Sequence, residues 1–219
     1  MLFTCWSVKG GAGTTVTATA LAILLSRTSP AGAVVADLAG DVPSVLGVAD
    51  PRDPGLSDWV AAGGAVPPDA LGRLELDVGG GLRLLPRGTG PLGDARRLAV
   101  LGALLRADGR PVVADCGVVQ PDSPVAGLVG AGDPSLLVTR GCYLALRRAP
   151  LVPCHPTGVV HLQEEGRALA GRDIADVVGA PVVAEVPVEP AVARAVDAGL
   201  LPSRLPRGLA RALRELCSA

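Results

Sequence analysis

The sequence predicts an α/β fold in which a mostly parallel, twisted sheet carries helices on both faces. Short apolar runs alternate along the chain with longer stretches of helical periodicity, which is the order that βαβ units produce. The short runs are apolar throughout rather than alternating, as strands covered on both faces are. The 219 residues are 49% hydrophobic, which is enough to build a substantial core. We therefore expect one domain that spans residues 1–219.

Composition and charge bear on several classes of protein. A net charge of −1 gives no electrostatic support for nonspecific binding to nucleic acid, and a local patch of arginines is the alternative that keeps nucleic acid as a possible partner. The first residues lack the basic segment of a signal peptide, and no apolar run reaches the length of a membrane-spanning helix. The five cysteines are odd in number and show no CxxC spacing. We expect a cytoplasmic protein with reduced thiols.

The first predicted unit is a strand, a glycine-rich turn and a helix. Residues 2–8 are apolar, residues 9–13 form the turn, and an apolar run over 16–25 is long enough for a helix. In this order the turn presents backbone N–H groups to one concavity, and the helix dipole adds positive potential there. Lys9 is the only lysine of the chain, and a compact ammonium suits a phosphate oxygen. The unit predicts a phosphate site; a turn that binds nothing is the alternative.

The letters KGGAGTT resemble the deviant Walker A motif of the ParA/MinD family of P-loop ATPases, KGGxGK[ST]. The resemblance implies that Lys9 reaches across a dimer to the partner's phosphates and that the Thr15 hydroxyl ligates Mg²⁺. Thr14 stands where the family usually has a second lysine. The ending Gly-Thr-Thr is similar to the CpaE/TadZ branch, whose members help to localise pilus-assembly machinery. The implied ATP site comprises Lys9, Gly10, Gly11, Ala12, Gly13, Thr14, Thr15 and Val16.

A second apolar strand is predicted over residues 32–37 and ends in a carboxylate, Asp37. A strand-end aspartate beside a phosphate loop can hold Mg²⁺ through water or support the Thr15 hydroxyl. The resemblance implies that Asp37 is the first acid of a DxD motif and that the second, which positions the attacking water, is Ala39 here. The alternative is an aspartate that only caps a turn, and this is the role we expect of Asp41.

The middle of the chain begins with a turn-rich loop and a short helix, followed by a Gly/Pro linker inside the domain. An edge hairpin follows, and the arginine after its second strand, Arg87, is expected to be solvated rather than bound to a ligand. The predicted ranges are 50–55 for the loop, 56–62 for the helix, 63–69 for the linker, and 74–78 and 82–85 for the two strands of the hairpin.

Another amphipathic helix is predicted over 92–107, followed by an apolar strand over 112–116. This strand carries Asp115 near its end. The resemblance implies that Asp115 is the Walker B acid, which holds Mg²⁺ through water. A strand-end aspartate without a metal is the alternative.

Strands are predicted over 135–139, 157–162 and 181–186, and helices over 143–148 and 166–179. We expect His161 to be structural, because the sequence supplies no nucleophile to pair with it. The segment PVEPAVARAVDAG resembles the family's IPxDxxVxxAxxxG, which implies that the loop at Pro187 lies beside adenine. A last helix over 206–217 has an apolar stripe and several arginines. Packing onto the sheet is the expected role of that stripe, and contact with a membrane surface is the alternative.

The resemblance implies an ATP- and Mg²⁺-binding homodimer that is gated by nucleotide and positions a pilus or secretion apparatus, a septum or a chromosome through a protein partner. Lys9 and Asp37 are the catalytic candidates. The departures at Thr14 and Ala39 predict weak or absent ATP hydrolysis, because each removes transition-state stabilisation.

Two alternatives remain open. One is a pseudo-ATPase scaffold that keeps the fold without binding nucleotide, which the residues at 14 and 39 favour. The other is a dinucleotide-dependent oxidoreductase, since Gly11-Ala12-Gly13 begins a GxGxxG pattern. Val16 takes the place of the third glycine in that pattern, and Lys9 has no role in it, so this alternative is the weaker one.

Overall fold

A computed structural model describes residues 1–51, 54–63, 67 and 69–217, and these residues build an eight-stranded sheet. Its strands are β1 Leu2–Ser7, β2 Ala33–Asp37, β3 Leu76–Asp77, β4 Leu82–Leu85, β5 Val112–Val118, β6 Ser135–Arg140, β7 Gly158–Gln163 and β8 Val182–Pro187. They lie in the order β3-β4-β2-β5-β1-β6-β7-β8. All neighbouring strands pair in parallel except β3, which pairs antiparallel with β4 at one edge. The predicted fold class and the predicted edge hairpin are both confirmed.

Helices cover both faces of this sheet. They are α1 Thr14–Thr28, α2 Val42–Leu46, α3 Leu56–Ala61, α4 Ala95–Ala107, α5 Ala126–Val129, α6 Tyr143–Arg148, α7 Gly171–Val178, α8 Pro190–Asp197 and α9 Arg207–Leu213. Alternate residues of β1 point to opposite faces: Phe3 and Cys5 join a core with α1, α2, α8 and α9, whereas Leu2 and Trp6 join a second core with α3, α4, α5 and α6. Burial on both faces explains why the strands are apolar throughout.

Several predicted boundaries shift for local reasons. Helix α4 begins at Ala95 because the Asp94 carboxylate caps it, accepting from the N–H groups of Arg96 and Arg97 at 2.9 and 3.0 Å. Helix α7 begins at Gly171 rather than at 166, because Gly166 lies in a turn with φ of 81°. The predicted linker over 63–69 and loop over 50–55 lie partly outside the described residues.

The apolar stripe of the last helix is buried. Leu209 and Leu213 of α9, with Leu216 of the following 3₁₀ turn, belong to the core that contains α1. The expectation that the stripe packs onto the sheet is therefore the correct one, and the stripe is not available to a membrane surface. No helix in the described ranges combines the length and apolar character needed to cross a membrane.

Candidate functional site

The turn between β1 and α1 has a backbone shape that requires glycine. Gly11 and Gly13 have φ values of 74° and 83°, and Gly13 precedes the first turn of α1, where its carbonyl accepts from the Thr17 N–H at 2.9 Å. A Cβ placed on Gly13 would lie 2.5 Å from Cδ2 of Leu162 on β7. The loop is thus pressed against the sheet and directed over the N-terminus of a 15-residue helix.

The start of the same loop is tied to the neighbouring strand. The buried Ser7 hydroxyl lies 3.2 Å from the carbonyl oxygen of Lys9 and 3.3 Å from that of Gly117, which follows Asp115 on β5. Gly117 also has a positive φ, and a Cβ there would lie 3.0 Å from the Ala39 Cβ. Ser7 therefore joins the loop to the end of β5, a role that the sequence reasoning missed.

A cavity of about 690 Å³ opens at the carboxyl ends of β1, β2, β4 and β5. In parallel α/β sheets this edge is where ligands bind. All the predicted loop residues from Gly10 to Val16 line it, together with residues of the loops after β2, β4 and β5. Those further lining residues include Leu38, Ala39, Asp41, Arg87, Gly117 and Val118.

Asp37 and Asp115 lie at the base of these loops. They are partners in the register of β2 with β5, and both are fully buried. Burial raises the pKa of Asp115 to about 7; the nearby Thr15 hydroxyl opposes this rise and the Asp37 charge adds to it. Oδ1 of Asp115 accepts from the Gly117 N–H at 3.1 Å, but Oδ2 has no hydrogen bond of regular geometry from any described residue, Thr15 included.

Asp37 is bound differently. Its Oδ1 accepts from the N–H groups of Ala39 and Gly40 at 3.1 and 2.6 Å, and its Oδ2 accepts from Val42 at 3.2 Å. Burial raises the pKa of Asp37 to about 6, and these three amides oppose the rise. Asp37 therefore shapes the loop that follows β2, as the turn-capping alternative anticipated. An ionised carboxylate has lone pairs to spare for a water molecule besides.

Lys9 does not line the large cavity. Its Nζ donates to the Gly10 carbonyl at 3.2 Å, and its side chain lines a separate pocket of about 100 Å³ beside the end of β6. Arg140 and Arg167 line the same pocket, and both pair with Glu164.

A third cavity, of about 300 Å³, lies on the other side of the loop, at the ends of β7 and β8. Gly13, Val16 and Pro187 line it, together with Leu162 and several apolar residues of α8. Val16 lines both this apolar cavity and the large one. The structure therefore brings Pro187 to the glycine loop.

Two residues that the sequence reasoning set aside belong to the site. Arg87 is half-buried, its Nε donates to the Leu38 carbonyl at 3.1 Å, and it lines the large cavity, so it is held by the fold rather than surrounded by solvent alone. Asp41 lines the same cavity. Their positions at the ends of β4 and β2 are the signal that could have identified them.

His161 remains structural. It is 4% exposed, burial lowers its pKa, and its Nδ1 lies 3.9 Å from Glu185. It is not among the described residues that line the three cavities around the loop.

The arrangement can attract an anion at the loop and a cation below it. Loop amides and the N-terminus of α1 attract anions. Asp115 offers an unshared oxygen, and Thr15 offers a hydroxyl. No group of three His, Cys, Asp or Glu side chains suited to a metal occurs among the described residues. A cation here would complete its shell with water and with a bound anion, as Mg²⁺ does at phosphate sites.

Comparisons with solved structures identify the fold. The chain is similar to a ParA family ATPase from Chlorobium tepidum (TM-score 0.77, 18% identity, 99% of this chain and 98% of the other). It is similar to the septum site-determining protein MinD of Pyrococcus horikoshii in complex with Mg-ADP (TM-score 0.77, 20% identity, covering 99% of this chain and 93% of the other). It is also similar to a chain of the MinC:MinD cell division complex of Aquifex aeolicus (TM-score 0.79, 17% identity, covering 100% of this chain and 96% of the other). No protein-family model and no curated protein matches the sequence.

Proposed function

We propose that the chain is a single nucleotide-binding domain that takes up Mg²⁺-ATP and acts as a positioning factor of the ParA/MinD kind. The observation that carries this proposal is the Asp115 carboxylate below the glycine loop. Its Oδ2 is buried without a regular hydrogen bond, which is costly unless a ligand occupies the position. The similar MinD structure holds Mg-ADP.

The residues fit Mg²⁺ in a specific way. Thr15 and Asp115 would hold the ion, Thr15 directly and Asp115 through water, while Asp37 would act through water because three amides already bind its carboxylate. When bound, Mg²⁺ would neutralise phosphate charge. The loop from Gly10 to Val16 would bind the phosphates, and the apolar cavity at Pro187 would take the base.

Lys9 supports the proposal of a nucleotide-gated homodimer. Its ammonium lies outside the large cavity, so a phosphate contact by Lys9 would be made with the nucleotide of a second copy. One of the similar structures is a complex of MinD with MinC, which supports a protein partner in general. We assign the pilus or secretion systems as the partner class, on the likeness of the Gly-Thr-Thr loop to the CpaE/TadZ branch.

ATP hydrolysis is proposed to be weak. Thr14 and Ala39 both line the large cavity, and neither supplies a charge to it. Lys9 and Asp37 remain the catalytic candidates, Lys9 from a second copy and Asp37 through the loop that it shapes. A scaffold that binds no nucleotide is the second candidate function, and the residues at positions 14 and 39 favour it.

Calorimetry with Mg²⁺-ATP tests the proposal. We expect binding by the wild-type protein and at least tenfold weaker binding by Asp115→Ala, with exposed Asp122→Ala as the matched control. Absence of binding at millimolar Mg²⁺-ATP would favour the scaffold.

A further inference from the structure

The large cavity has few positively charged side chains for a site that would bind a triphosphate. Lys9 lies outside it, and position 14 is a threonine. Among the described residues that line the cavity, Arg87 is the only cationic side chain and Asp41 the only acidic one. Backbone amides supply partial charges only, so besides the proposed Mg²⁺ and the Lys9 of a second copy, the full positive charge that this lining offers a terminal phosphate is that of Arg87.

The order of the strands determines which phosphate Arg87 would meet. The apolar cavity lies at β7 and β8, and the glycine loop follows β1. Beyond the loop come Asp115 in β5, Asp37 at the end of β2 and Arg87 after β4, in that spatial order. A nucleotide with its base in the apolar cavity and its first phosphates on the loop would direct its terminal phosphate toward the β4 side of the loop. The distance from β1 to β4 is three strand spacings, roughly 14 Å, and the cavity is continuous over it.

Arg87 is held in place before any ligand arrives. Its Nε donates to the Leu38 carbonyl at 3.1 Å. Its Cδ packs against Gly40, since a Cβ added at Gly40 would lie only 3.3 Å from it. Its backbone is fixed as well, since its carbonyl accepts from the Ser57 N–H at 2.8 Å. Loop 38–40 is in turn folded around the Asp37 carboxylate. A side chain fixed in this way loses little conformational entropy when it binds.

We propose that Arg87 binds the terminal phosphate of the nucleoside triphosphate and makes the site prefer the triphosphate over the diphosphate. The inference rests on the proposed nucleotide-binding function. Arg87 thereby supplies from the loop after β4 the charge that position 14 does not supply. Because its Nε is bonded to Leu38, contact with the terminal phosphate also connects the ligand to loop 38–40.

The test compares Arg87→Gln with Arg83→Gln, which removes an exposed arginine of β4 that pairs with Asp77 at 3.5 Å. Calorimetry in Mg²⁺ measures the Kd of a nonhydrolysable ATP analogue and of ADP. Loss of one charge-assisted contact is expected to weaken binding of the ATP analogue by about ten- to a hundredfold in Arg87→Gln. Binding of ADP is expected to change less than about threefold, and Arg83→Gln is expected to match the wild type.

Arg87→Lys is measured beside them and keeps the charge without the guanidinium fork. Binding of the ATP analogue is expected to fall between that of the wild type and that of Arg87→Gln. Equal weakening of both ligands, or none, in a folded Arg87→Gln protein would overturn the role of Arg87 and leave the proposed function intact, as would an Arg87→Lys protein that weakens both ligands equally. A wild-type protein that binds neither nucleotide would overturn the proposed function and this inference with it.

Discussion

Asp37 and Asp115 lie side by side at the ends of β2 and β5, paired in register and both fully buried, yet their hydrogen bonding differs. Three backbone amides bind the Asp37 carboxylate, whereas Asp115 has one oxygen without a regular hydrogen bond. The pair is therefore divided: Asp37 shapes a loop, and Asp115 offers an open ligand atom.

We expect Asp115→Asn to stabilise the ligand-free protein above pH 7. The folded-state pKa is about 7 and lies above the value of about 4 in an unfolded chain, so the folded protein retains a proton that the unfolded chain releases. Stability consequently falls as the pH rises between about 4 and 7 and levels off above that range. The variant lacks this loss, and its free energy of unfolding at pH 8 should exceed that of the wild type by about 1–3 kcal/mol.

Urea unfolding at pH 4.5 and pH 8 measures this effect. The advantage of Asp115→Asn should nearly vanish at pH 4.5, where the wild-type carboxyl is protonated as well. Exposed Asp122→Asn serves as the control and should follow the wild type at both pH values. An equal advantage at the two pH values would mean that packing, rather than charge, causes the change.

Gly13→Ala and Gly10→Ala should differ sharply, although both lie in the same loop. A Cβ added to Gly13 would lie 2.5 Å from Leu162 at a φ of 83°, whereas a Cβ on Gly10 meets nothing within 4 Å. We expect Gly13→Ala to lower the free energy of unfolding by about 1–3 kcal/mol and Gly10→Ala by less than about 0.5 kcal/mol. Thermal unfolding measures both, and equal melting temperatures would contradict the tight contact between the loop and β7.

The sequence predicted the sheet well because its strands are apolar runs that end in functional residues. Asp37, Asp115 and the loop over 10–16 were located from local patterns: a strand end, a glycine turn and a helix start. Arg87 was not recognised, since its place in the cavity depends on a bond to Leu38, 49 residues earlier in the chain. Asp41 was also set aside, since only the folded loops show that it lines the cavity. Long-range contacts of this kind leave no local pattern.

Lys9→Ala should weaken dimerisation more than it weakens the binding of nucleotide by one chain. The ammonium lies outside the large cavity and donates to the Gly10 carbonyl, so its removal costs little within one chain. We expect Mg²⁺-ATP to shift the wild type toward a dimer in analytical ultracentrifugation and to leave Lys9→Ala monomeric, with the Kd for nucleotide in calorimetry changed by less than about threefold. Exposed Arg96→Ala should dimerise as the wild type does. A Lys9→Ala protein that dimerises normally would show that the lysine makes no contact with a second copy.

Ala39→Asp should raise ATP hydrolysis, because the new carboxylate would face the large cavity at the position where the resemblance to the family implies the second acid. A Cβ added at Gly117 would lie 3.0 Å from the Ala39 Cβ, so the Ala39 side chain borders the end of β5. A positioned carboxylate that acts on the attacking water contributes about a hundred- to ten-thousandfold to turnover. Phosphate release at saturating Mg²⁺-ATP should increase by at least about tenfold in Ala39→Asp and remain at the wild-type rate in Ala39→Asn, which has the same shape without the charge. Wild-type turnover already within the ordinary range for ATPases of this fold would contradict the proposed weakness of hydrolysis, since Ala39 would then be no obstacle to the reaction.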